Sequence, residues 1–167
     1  EFEIIIPKLF GAEVKKDVAT KKADTTFISD QEFITLYASI GLEDKIKQVL
    51  ALEKQMQEDE SKFEGWTARR TPKNISFTFT TPNHTQQSLT LSLGYNKTSP
   101  NETFDFWLYD KSIQEEVLSA VKSSLGIQTK NLLPDAKYGV IARWPIKEFT
   151  QDKLIAFFSE LSLKKSV

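Results

Sequence analysis

The 167-residue sequence has no cysteine and one histidine, and these absences remove whole classes of chemistry. Without Cys there can be no disulfide, no thiolate metal site and no thiol nucleophile. With one His, a multi-histidine metal centre cannot be assembled within one copy, and a Ser-His-Asp arrangement would have to use His84. That residue lies among Asn, Thr and Gln in an expected hairpin loop, with no apolar shell to orient it, and reads as a solvated histidine. Glycine is scarce as well. Six isolated Gly leave no P-loop, dinucleotide fingerprint or nucleophile elbow. No apolar run approaches the ~20 residues that span a bilayer, and the longest near the start is Ile4-Ile5-Ile6. Neither charge sign dominates: 22 basic and 23 acidic residues give −1, so no global positive field is available to hold phosphates.

What is present is ordinary globular material, 40% hydrophobic and 27% charged, at a length that suits one domain with a real core. Residues 1–24 read as a terminal strand, closed by Pro7, and a Lys-rich linker containing Lys15, Lys16, Lys21 and Lys22. The N-terminus at Glu1 reads as a cut edge. Residues 25–167 read as a single α+β domain.

Ser29-Asp30-Gln31-Glu32 forms a capping-box pattern opening a helix with Phe33, Leu36, Tyr37 and Ile40 on one face, and Gly41 stops it. A second helix over 43–57 carries Ile46, Val49, Leu50 and Met56, and its acidic end at Glu58-Asp59-Glu60 is expected to fray against the helix dipole. Three alternating segments follow: Ile75, Phe77 and Phe79; Leu89, Leu91 and Leu93; Phe104, Phe106 and Leu108. Ser112-Ile113-Gln114-Glu115 repeats the capping pattern before a helix closed by Gly126. A strand over 138–144 and a last helix capped by Thr150 complete the chain. The expected fold is an antiparallel meander of three to five strands packed by helices, in the order α-α-β-β-β-α-β-α, with room for one more strand near Trp66.

No catalytic constellation emerges. Asp105 and Asp110 are five apart on one strand and point to opposite faces. Pro134-Asp135 resembles the opening of a PD-(D/E)XK nuclease site, but no later strand carries the acidic-x-Lys that must follow. The triplets Glu13-Val14-Lys15 and Glu43-Asp44-Lys45 precede it, in a linker and a helix. No catalytic residue, metal ligand or cofactor is therefore assigned.

Binding is better represented. Trp66, Arg69, Arg70 and Lys73 form a basic-aromatic segment beside the first alternating strand, and Arg143 lies on another strand. Read as an interface, the Arg and Lys residues would contact phosphates while Trp66 stacks on bases. Read as architecture, the Trp residues fill the core and the Arg residues lie at its edge. Trp107 and Tyr109 alternate out of phase with Phe104 and Phe106, so they face a second layer or form a patch for a partner.

Four of the five Asn, namely Asn74, Asn83, Asn96 and Asn101, begin N-x-Ser/Thr sequons, which would mark a glycosylated face on a secreted protein. The Ser/Thr-rich strand composition also generates such triplets by chance. Absence of Cys favours a cytoplasmic chain, with the secreted reading as the alternative.

From Phe2-Glu3-Ile4-Ile5-Ile6-Pro7-Lys8-Leu9-Phe10-Gly11 onward, the layout resembles certain uncharacterised bacterial proteins of the PD-(D/E)XK nuclease-like superfamily. In those proteins a Lys-rich connector leads to a helix opening like Asp30-Gln31-Glu32-Phe33. A helix pair, a three-stranded section and a strand like 104–109 running into Ser112-Ile113-Gln114-Glu115 follow. The resemblance covers most of the chain as a pattern of element types. It implies a C-terminal accessory domain whose catalytic core lies upstream, engaging DNA or a protein partner and no membrane.

Overall fold

The structure, a computed structural model, describes residues 28–72, 74–81, 86–94, 99–133 and 139–163, with side chains as far as residue 162. The expected strand at 1–6, the linker at 12–24, His84 and Asp135 lie outside the described residues.

Helix α1 (Asp30–Ala38) begins as its sequence dictates. Ser29 Oγ accepts from the Glu32 amide, and Glu32 answers by accepting from the Ser29 amide at 2.9 Å. Its far end closes on Gly41 at φ +75°, with Gly41 N–H donating to Ala38 O and Leu42 N–H to Tyr37 O. This left-handed cap accounts for a glycine at that position. Helix α2 (Glu43–Glu58) follows and buries Ile46, Val49, Leu50, Leu52 and Met56. Its acidic C-terminal end closes at Glu58. It passes into a short 3₁₀ turn (Glu60–Lys62), where Lys62 pairs with Asp59 at 2.8 Å.

Strands β1 (Trp66–Thr71), β2 (Asn74–Phe79), β3 (Leu89–Gly94) and β4 (Thr103–Leu108) form a meander. Helix α3 (Gln114–Ser123) interrupts it before β5 (Val140–Pro145), and α4 (Gln151–Leu163) ends the described chain. The sheet order is β1-β2-β3-β4-β5 with every pair antiparallel. The extra strand at Trp66 is thus present, and the fold is the expected α+β meander with five strands.

The second capping pattern is not used as written. Asp110, not Ser112, supplies the acceptor: its carboxylate takes the Ser112 amide at 2.9 Å and the Ser112 hydroxyl at 2.6 Å. A 3₁₀ turn (Lys111–Ile113) then leads into α3, whose N-cap Ile113 has no side-chain cap. At α4 the expectation is met, with Thr150 Oγ1 accepting from the Lys153 amide at 3.3 Å.

All four helices lie on one face of the sheet. Phe33 and Tyr37 of α1, Val117 and Val121 of α3, and Leu154 and Phe157 of α4 join one buried cluster. The strand residues in that cluster include Ile75, Phe77, Leu91, Phe104, Phe106 and Trp144. Residues of opposite phase on the same strands are smaller and polar: Ser76 and Thr90 are buried, and Thr78, Ser92 and Asp105 half-buried. Among the described residues no helix lies against that second face.

Candidate functional site

The helix-free face is a grid of small polar residues laid out by strand register. One rank crosses all five strands as Arg69, Ser76, Ser92, Asp105 and Arg143, each directly opposite the next. The neighbouring rank reads Thr67, Thr78, Thr90, Trp107 and Val140. The hydroxyls of Thr78 and Thr90 hydrogen-bond across the strands at 3.2 Å, and Ser76 Oγ donates to Arg69 O. At ~4.8 Å per strand, the two arginines of the first rank stand about 19 Å apart.

Two aromatic residues break this hydroxyl surface, both from β4 or just past it. Trp107 is half-buried between Thr90 and Val140, and Tyr109, in the same phase, is 53% exposed. A bulge lies beside them: the register of β4 with β5 shifts between Phe106 and Trp107, leaving Ile141 as the extra residue. The Ile141 carbonyl accepts from Leu133 N–H at 2.7 Å, so the bulge also ties a loop segment to the outer edge of β5.

Arg143 is exposed and pairs with Asp105 at 3.4 Å, while Thr103 donates to the same carboxylate oxygen. A pair this exposed contributes little stability, so the Arg143 guanidinium can change partners cheaply. Arg69 is exposed and makes no ion pair within the described residues.

The sequence-derived site is therefore divided. Arg69 and Arg143 share the helix-free face; Lys73 lies outside the described residues. Trp66 is on the opposite face, 2% exposed and stacked on Phe158 with ring centroids 4.0 Å apart, so of its two readings it takes the architectural one and is not placed to stack on bases. Arg70 also points toward the helices. Its Nε donates to Glu53 Oε1 at 3.0 Å, its Nη2 contacts Glu53 Oε2, and its Nη1 meets Asp30 Oδ1 at 2.5 Å. The Glu53 hydrogen bonds, then those to Asp30, hold its guanidinium above the ordinary arginine value against the opposing effect of burial. Arg70 thus links β1 to α2 and α1. Trp107 and Tyr109 replace Trp66 as the accessible aromatics, and their phase relative to Phe104 and Phe106 is the sequence signal that finds them.

Of the sequon residues, Asn74 is half-buried at the start of β2, where its side-chain oxygen accepts from Thr71 Oγ1 at 3.0 Å. Asn101 is exposed, its amide nitrogen lying over Gly94. Asn83 and Asn96 lie outside the described residues. Within the described residues no group of three or more His, Cys, Asp or Glu converges as metal ligands would, and no helix is long and apolar enough to cross a membrane.

In comparisons with known proteins, no family model matches the chain, and no curated protein or solved structure is significantly similar to it.

Proposed function

We propose that this chain is a non-catalytic accessory module of a larger nuclease-like protein and engages single-stranded DNA across its helix-free sheet face. One observation carries the DNA contact. Trp107 and Tyr109 stand in phase on the face that no described helix covers, next to Arg143 on the adjacent strand, with Arg69 at the far end of the same surface. Aromatic faces stack on bases of any sequence, at ~1–3 kcal/mol per base, and arginines beside them pair with phosphates. The parent-protein context rests on the resemblance of the sequence pattern from Phe2 to Leu161. A protein surface is the second reading, and Asp105 favours it, since its carboxylate sits between the two guanidinium groups and offsets part of their charge.

Fluorescence titration with single-stranded and duplex DNA at two salt concentrations tests the proposal. The expected result is binding to single strands that weakens with salt, and a loss of ~5- to 150-fold in Trp107→Ala, matching 1–3 kcal/mol of stacking. Absent or salt-insensitive binding removes the DNA role and leaves the protein contact.

A further inference from the structure

We infer that the β1 edge of the sheet accepts an extended, acidic segment of a protein partner as a sixth strand. This goes beyond the proposed DNA contact and uses the strand edge, which shares only Arg69 with that face. The two edges of the sheet are treated differently. The outer side of β5 is occupied by the chain itself, through the Leu132–Ala142 bridge and the Leu133 N–H to Ile141 O bond. Among the described residues, β2 is the only strand that pairs with β1.

The register identifies which backbone groups of β1 face outward. Thr80 N–H donates to Gly65 O at 2.9 Å, so Gly65 and Thr80 form a hydrogen-bonded pair. Pairs alternate along an antiparallel ladder, which makes Thr67, Arg69 and Thr71 the residues bonded to β2. The bond from Ser76 Oγ to Arg69 O agrees, because it places that carbonyl on the β2 side. Ala68 and Arg70 therefore present their N–H and C=O groups away from the sheet, and no described residue bonds to them. An edge of this kind is a template for strand addition.

Edges are commonly blunted by charge, proline or a bulge, and β1 carries only the first, as Arg69. It contains no proline and pairs with β2 without a register shift. The charge of Arg70 is turned inward and compensated by Glu53 and Asp30. Arg69 remains exposed and unpaired on the helix-free side. A carboxylate side chain on the added strand, opposite Arg69, supplies the missing cross-strand partner. That charge complementarity selects an acidic strand over a second copy of this chain, whose own β1 would bring further arginines to the same edge.

The test is amide hydrogen exchange, read by NMR on the full chain, with a seven-residue peptide alternating valine and glutamate and a valine–lysine peptide as control. The expected result is a tenfold or greater slowing at Ala68 and Arg70 with the glutamate peptide alone, and a reversed preference in Arg69→Glu. Ala68→Pro, which removes one outward N–H, should abolish peptide binding while keeping DNA binding, and Trp107→Ala should do the opposite. If Ala68→Pro fails to fold, Arg69→Glu carries the test alone. Unchanged exchange at millimolar peptide, equal protection by the lysine peptide, or protection already present in a β1-linked dimer of the free chain would each overturn the inference.

Discussion

At the scale of single residues, the contact of Glu53 with Arg70 is hard to replace. Glu53 is 2% exposed, and its charge is tolerable there because the guanidinium takes both carboxylate oxygens. Removing one partner strands the other, so Arg70→Ala should cost about 3–5 kcal/mol in urea unfolding. Replacing both with apolar residues of similar volume should cost far less, and a double-mutant cycle measures the difference. Equal losses in the single and double variants would show that packing, not charge, holds this corner. The indoles invite a second prediction. Trp66 and Trp144 bury their Nε1–H groups with no hydrogen-bond partner among the described residues. A phenylalanine removes that unsatisfied donor while keeping most of the ring, so Trp144→Phe should cost under about 1.5 kcal/mol. Trp144→Ala should cost about 3–5 kcal/mol, because the surrounding Phe104 and Phe149 rings lose their neighbour.

At the scale of elements, the junctions decide where helices and strands begin. Gly65 precedes β1 at φ +77°, and a Cβ there would lie 2.9 Å from Phe79 Cε2 and 3.2 Å from the Thr80 carbonyl. Gly41 has a similar φ of +75° but open space around it. Gly41→Ala should therefore show the backbone cost alone, about 1 kcal/mol, and Gly65→Ala a distinctly larger loss on the same thermal scan. The entry to α3 gives a sharper contrast with the sequence pattern. Asp110→Ala should destabilise by about 1 kcal/mol, while Glu115→Gln should change little, because the expected capping box is not the one formed. At the end of α2, the Lys62 and Ser61 hydrogen bonds hold the Asp59 carboxyl below its ordinary value. A depressed carboxylate stabilises above its unfolded pKa and stops doing so as pH falls through the folded one. The difference between Asp59→Asn and the parent protein should thus narrow on acidification, from a small value, since the site is exposed.

The same junctions explain what the sequence disclosed. Strands β2, β3 and β4 were legible because Phe and Leu alternate with Ser, Thr and Asp, although the pattern did not show that Ser76 and Thr90 of the polar phase are buried too. Strand β1 was nearly silent, since its inward residues are Trp66, Ala68 and Arg70, and an inward arginine breaks the alternation. What permits it is Glu53, seventeen residues away on α2, a pairing that local pattern does not encode. Trp66 joined the expected interface for the same reason, because its neighbours looked basic and exposed. The accessible aromatics, Trp107 and Tyr109, were visible by phase but not by burial, which depends on where four helices settle.

At the scale of the whole molecule, those helices settle on one face, and no described helix covers the other. The core is one continuous cluster to which every strand and every helix contributes, so no described element can detach without exposing apolar surface shared with its neighbours. Unfolding should accordingly be a single cooperative transition. Two probes that see different parts of the structure can check this. Tryptophan emission reports on Trp66 and Trp144, buried in the aromatic interior near α4 and near β4, and on half-buried Trp107, while far-UV circular dichroism reports on all helices together. Coincident urea midpoints are expected. A separate early phase in the dichroism would mean that a helix leaves before the sheet opens, and the β1 side is where it should appear. There α1 is fastened to the sheet through the Arg70 contacts, and α2 through the Glu53 pair. Arg70→Ala is then the variant in which the two probes should first part, linking the charge at one residue to the cooperativity of the entire fold.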